Sequence, residues 1–188
     1  IHSSRRLDEN DPEPGFGGME SSSNAHFPNG QFLGWTAGKV PHRNEPGLSW
    51  PLERGTDLVL ELHLQPTGKP ESLQSSIGLF FTDQPPTKHS FSLVLESREM
   101  NIPPGEDAYE VIDEYVLPTQ AEVLGVYPHA HYLGKTIEGY AVLPDGTKEW
   151  LIRIPDWDFN WQDEYRFVEP VSLPKGTRLV MRVTYDNS

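Results

Sequence analysis

Asp57-Leu58-Val59-Leu60-Glu61-Leu62-His63-Leu64-Gln65 sets a leucine at every second position over its central part. Successive side chains of a β-strand leave from opposite faces, so Leu58, Leu60, Leu62 and Leu64 share one face. Val59, Glu61, His63 and Gln65 share the other. Pro66-Thr67-Gly68-Lys69-Pro70 then ends the strand, because proline has no amide to give to a ladder.

The same pattern recurs along the 188 residues, which 18 Pro and 16 Gly cut into short pieces with no sustained helical periodicity. Further strands are expected over residues 77–82, 90–95, 109–117, 122–131, 137–142, 148–154 and 178–185. Pro144-Asp145-Gly146-Thr147 carries an Asp-Gly hairpin signal, so 148–154 should return antiparallel to the strand before it. Short alternating strands between Pro/Gly turns are the mark of an all-β sandwich or barrel built mostly of antiparallel strands.

Residues 1 to about 50 depart from this, with Asp11-Pro12-Glu13-Pro14-Gly15 and Ser21-Ser22-Ser23-Asn24 reading as irregular loop. Within that region Gly34-Trp35-Thr36-Ala37-Gly38 has the aromatic and small residues that pack on a sheet edge. The two prolines of Gln84-Pro85-Pro86-Thr87 interrupt strand and helix alike. They place a domain boundary there, giving a first domain over 1–85 and a second over 86–188.

Hydrophobic residues make up 36% and aromatics 11% of the chain, enough for a core in one large or two small domains. A net charge of -13, with basic residues scattered singly apart from Arg5-Arg6, offers no patch to displace counterions from nucleic acid or an anionic membrane. No run of apolar residues is long enough to span a bilayer. The absence of cysteine excludes disulfides, thiolate nucleophiles and zinc-thiolate sites within these residues. Gly-rich phosphate loops, nucleophile elbows and His-Glu-x-x-His are also absent. Oligomeric state is not legible.

Tyr127-Pro128-His129-Ala130-His131-Tyr132-Leu133-Gly134-Lys135 holds the chemistry. Imidazoles at i and i+2 of a strand lie on one face and can reach one metal ion, whereas a bland alternative has each ring hydrogen-bonding on a solvated sheet. Pro128 suits an edge or bulge and Gly134 ends the strand soon after, which favours an exposed rim. Neutral imidazoles suit copper, zinc, iron or nickel, so the ligand type leaves the metal open. His63 on its own reads as a polar-face residue.

Met181 reads as a packing residue within its strand. Asp156-Trp157-Asp158-Phe159-Asn160-Trp161-Gln162 reads as inward aromatics and outward polar groups closing one end of a sandwich. Asp156, Asp158, Asp163 and Glu164 lack the spacing of an EF-hand calcium loop.

Leu58-Val59-Leu60-Glu61-Leu62-His63, Ile77-Gly78-Leu79-Phe80, Ile102-Pro103-Pro104-Gly105 and His129-Ala130-His131 with Leu133-Gly134-Lys135 occur here in that order. Together they resemble the copper type II, ascorbate-dependent monooxygenases, the family of the peptidylglycine α-hydroxylating and dopamine β-monooxygenases. Ile154-Pro155-Asp156-Trp157-Asp158 and the ending Tyr185-Asp186-Asn187-Ser188 look more like bacterial relatives of that core.

The resemblance implies two jelly-roll-type antiparallel β-sandwich domains, each holding one copper. It matches His63 to a ligand of the electron-transferring copper, and His129 and His131 to ligands of the dioxygen-binding copper. The implied reaction is hydroxylation of a C–H bond in a small-molecule or peptide substrate, using dioxygen and electrons from ascorbate. An extracytoplasmic setting, periplasmic or secreted, is implied with it. The family's upstream His-His pair is matched only by His2-Ser3, and its downstream methionine is expected beyond Ser188, so this chain is expected to carry both sites incomplete. A β-sandwich module that keeps the fold without the chemistry, or a hydrolytic zinc site, are the alternatives.

Overall fold

Six antiparallel strands run through the C-terminal half of the chain: β1 Tyr109–Val116, β2 Ala121–Val126, β3 Gly134–Val142, β4 Lys148–Ile154, β5 Tyr165–Leu173 and β6 Arg178–Tyr185. The computed structural model describes residues 26–28, 30, 31, 33–36, 38–97 and 99–188, and among them no residue is helical, so the fold is all-β. The expected loop over residues 1–25, with His2, lies outside the described residues.

The chain divides into two units, one of Ile1–Leu33 with Pro41–Ser92 and one of Gly34–Val40 with Leu93–Ser188. In the first, the Gly47 carbonyl accepts from the amides of Thr87 and Lys88 at 3.1 and 3.0 Å, and buried Gln31 donates through Nε2 to Ser90 Oγ at 3.0 Å. The Arg43 guanidinium lies over the Phe80 ring at 4.1 Å.

In the second unit one sheet has the order β1-β6-β3-β4 and a smaller sheet pairs β2 with β5. Val111, Ile137 and Val183 stand in register across β1, β3 and β6 and are buried, which defines the inner face of the larger sheet. That face is covered in two parts. Leu117, Ala141 and Leu173 form one cluster with Val123, Leu151 and Val171, where the β2–β5 pair lies against the larger sheet. Val111, Ile137, Val183 and Tyr185 form the other with Ala130 and Trp157, which come from the loops after β2 and β4.

On the opposite face Glu110 pairs with Arg182, Arg182 reaches Glu138 at 3.6 Å, and Glu138 meets Arg153 at 3.3 Å, a row of alternating charge across all four strands. Exposed pairs of this kind contribute at most about 1 kcal/mol each, so burial on the inner face holds the sheet.

The β3–β4 hairpin forms where the sequence indicates. Pro144 occupies the first corner of a turn closed by Gly146 N–H to the Leu143 carbonyl at 2.9 Å, and Gly146 has φ +88°. The Asp145 carboxylate accepts from the Thr147 amide at 2.9 Å, and this bond holds its pKa below the ordinary value. Only glycine adopts that φ at little cost.

Several expectations are corrected. No residue of 57–65, 77–82 or 90–95 is in a strand. Leu60 and Leu62 are each 50% exposed and Val59 on the other face is 44% exposed, so alternation there sorts onto no core. A strand also needs a neighbour to take its amides and carbonyls, and these segments find none among the described residues. The expected strand over 122–131 ends at Val126, because β2 loses its partner where β5 begins at Tyr165.

Strand β3 starts at Gly134 rather than 137, paired with Tyr185 through a register shift. The last correction is β5 itself, which no expected strand covers. Between the pairs Val123–Val171 and Gly125–Arg166 its register shifts, and the extra residues swing Val168 fully out to solvent. A bulge of that kind destroys the period by which a strand is recognised.

Candidate metal centre

His129 and His131 lie in the connection from β2 to β3, past the end of the ladder. Pro128 and Ala130 are buried while His129 and His131 are exposed, so the two-residue alternation expected of a strand persists without strand pairing. Ala130 plugs into the core beside Trp157, which fixes the backbone between the two imidazoles. The His131 carbonyl accepts from the Gly134 amide at 2.9 Å, and the turn so formed feeds β3.

Gly134 is there for space. A Cβ at that position would sit 2.8 Å from Trp157 Cδ1, 2.9 Å from Ala130 Cβ and 3.1 Å from the His131 oxygen. Near the end of β2 Gly125 plays the same part, since a Cβ would sit 2.6 Å from the Tyr165 carbonyl oxygen.

The two imidazole centroids are 5.1 Å apart with their planes nearly perpendicular. A tetrahedral ion about 2.0 Å from one nitrogen of each ring sets the centroids about 5 Å apart, so the centroid separation of the pair is that of two ligands on one first-row metal. Phe159 flanks His131 at 6.2 Å and stacks on Tyr132 at 4.1 Å. The exposed rings of Tyr132 and Trp161 leave an aromatic rim at this edge of the fold.

His129 Nδ1 is 2.6 Å from Gln162 Oε1, and Gln162 Nε2 donates to the Phe159 carbonyl at 2.8 Å. Gln162 has no signal in the sequence beyond its place in the aromatic-acidic run. That run divides: Trp157 is buried as expected of an inward aromatic, but Trp161 is exposed, and its ring lies beside Gly38.

Thr36 Oγ1 donates to the Gln162 carbonyl at 3.0 Å, and Lys39 meets Asp163 at 3.1 Å. Residues 34–40 therefore pack on the loop after β4, in place of the expected sheet edge; Ala37 lies outside the described residues. Burial, with Asp163 adding to it, raises the pKa of Tyr127.

The remaining candidates stand elsewhere. His63 is in the first unit, exposed, with Nε2 2.6 Å from Glu61 Oε1. Met181 lies in β6 packed against the core that contains Ala130 and Trp157. Asp158 accepts from the amide of Asn160 at 2.8 Å, and Glu164 pairs with Arg166 at 2.9 Å, so these carboxylates serve turns and ion pairs. Among the described residues no three His, Asp or Glu side chains gather as a metal-binding group, and no helix is long and apolar enough to cross a membrane. Comparison with known protein families and with characterised proteins returns no match.

Proposed function

We propose that His129 and His131 supply part of a copper centre in a monooxygenase that hydroxylates a substrate C–H bond with dioxygen and ascorbate-derived electrons. The observation that carries this reading is the pair itself: two exposed imidazoles at ligand separation, mounted on a loop whose intervening alanine is locked in the core. The donor set is imidazole nitrogen, which copper and zinc both accept, and the ordered resemblance of the chain selects copper. Bound there, copper would supply the one-electron chemistry with dioxygen that zinc cannot.

The chain's own residues hold the two imidazoles close together and place Phe159 beside His131 with Tyr132 against it, aromatic rings that suit an organic substrate rather than a polyanion. His63 would belong to the electron-transferring copper, and the whole would be two jelly-roll β-sandwich domains in an extracytoplasmic protein. Met181 is committed to the core and is not the thioether ligand.

A second reading, a β-sandwich module without catalysis, draws on the absence of a third His, Asp or Glu beside the pair among the described residues. Ascorbate-dependent oxygen consumption by copper-loaded protein separates the two. Consumption that requires His129 and His131 supports the monooxygenase. Copper bound at the pair with no oxygen consumed in the presence of ascorbate sinks it.

A further inference from the structure

We propose that Gln162 is the positioning residue of this centre, setting the proton of His129 on Nδ1 and so presenting Nε2 to the metal. This deepens the metal-site reading of His129 and rests on it.

A glutamine side chain can turn either end toward a histidine, and only its partners decide which. Here the amide nitrogen donates to the Phe159 carbonyl at 2.8 Å, which leaves Oε1 facing His129 Nδ1 at 2.6 Å. A carbonyl oxygen accepts only, so Nδ1 must carry the hydrogen. In the neutral ring Nε2 is then the lone-pair nitrogen, free for a metal. A ligating histidine that donates its other N–H to a fixed acceptor gains in orientation and in basicity.

The acceptor is itself braced. Thr36 Oγ1 holds the Gln162 carbonyl at 3.0 Å and Lys39 pairs with Asp163 at 3.1 Å. Thr36 is thereby joined to Gln162 across 126 residues of sequence, and the Gln162 side chain carries the connection on to His129.

The test uses the whole chain. In metal-free protein with ¹⁵N-labelled histidine, two-bond ¹⁵N–¹H correlation above the imidazole titration range reads the tautomer of each ring. The proton of His129 is expected on Nδ1, Gln162→Leu should lose that preference, and Gln162→Glu, which keeps an acceptor, should retain it. Copper(I), titrated alone against a chromophoric chelator, should bind the leucine variant about 10–100-fold more weakly.

A proton on Nε2 in the unaltered protein overturns the proposal with no variant needed, so a misfolded variant does not protect it. An unchanged tautomer and affinity in Gln162→Leu also overturns it. Unchanged copper affinity in His129→Ala overturns instead the metal-site reading, while the metal-free spectrum still decides the hydrogen bond.

Discussion

Gly134→Ala adds one methyl group where three fixed neighbours meet. The new carbon would sit 2.8 Å from Trp157 Cδ1 and 2.9 Å from Ala130 Cβ. Carbon atoms rest about 3.5–4.0 Å apart, so each contact is short by roughly 0.6 Å or more. Trp157 and Ala130 are both buried in the core, and the third neighbour is the backbone oxygen of His131.

None of these is the loose end of a side chain, so relief must come from moving the loop. Overpacking costs about 1–3 kcal/mol. Against it, alanine lowers the entropy of the unfolded chain by about 0.4–1 kcal/mol in favour of folding. The clash wins, for a net loss of about 1–2 kcal/mol.

At about 2–4 °C per kcal/mol for a protein of this size, Tm should fall by about 2–8 °C. Gly78→Ala is the control, since a Cβ there meets nothing within 4 Å. Thermal melts followed by circular dichroism compare the two. A Gly134→Ala protein as stable as the control would refute the packing described around the histidine loop.

Gly125→Ala should cost about 3 kcal/mol, because its Cβ meets the backbone of β5 rather than side chains, and chemical denaturation measures it. Lys135 Nζ donates to Asp186 at 2.9 Å and, with the Ser188 amide, holds the Asp186 carboxyl down at about 2, below its usual 3.8. A depressed carboxyl stabilises the fold above its unfolded pKa and loses that contribution as pH falls from about 4 toward 2. The same bond raises the pKa of Lys135, so the lysine's contribution holds below 10.5 and is lost only as pH rises beyond it. Asp186→Asn should therefore flatten the fall of Tm between pH 4 and pH 2, and an unchanged acid limb would count against the pair.

The strands that were legible are those whose alternation has a partner to satisfy it. Strands β4 and β6 occupy the expected residues, and β1 ends one residue short; β1 and β6 pair along their whole length, while β4 pairs with β3 through one register shift and keeps alternate residues half-buried. The leucine alternation of 57–65 is stronger than any of these, yet it forms no strand among the described residues. Alternation in sequence states which residues would share a face and says nothing of whether another strand is there to pair. Strand β5 fails in the opposite way, paired to β2 but broken in period by its bulge.

At the site, the two histidines were visible because both imidazoles sit two residues apart in one segment. Gln162 and Thr36 were not, since they come from other parts of the chain and act through single hydrogen bonds that leave no periodic trace. In the sequence Gly134 has the place of a strand terminator, while its three close contacts show that it is needed for the packing of Trp157.

Copper content after exhaustive dialysis is the most direct test of the centre. The chain loaded with copper and dialysed should retain metal that His129→Ala and His131→Ala each lose, with the fold of both variants intact by circular dichroism. Copper retained equally by the unaltered chain and by either variant would contradict the assignment of this pair as ligands.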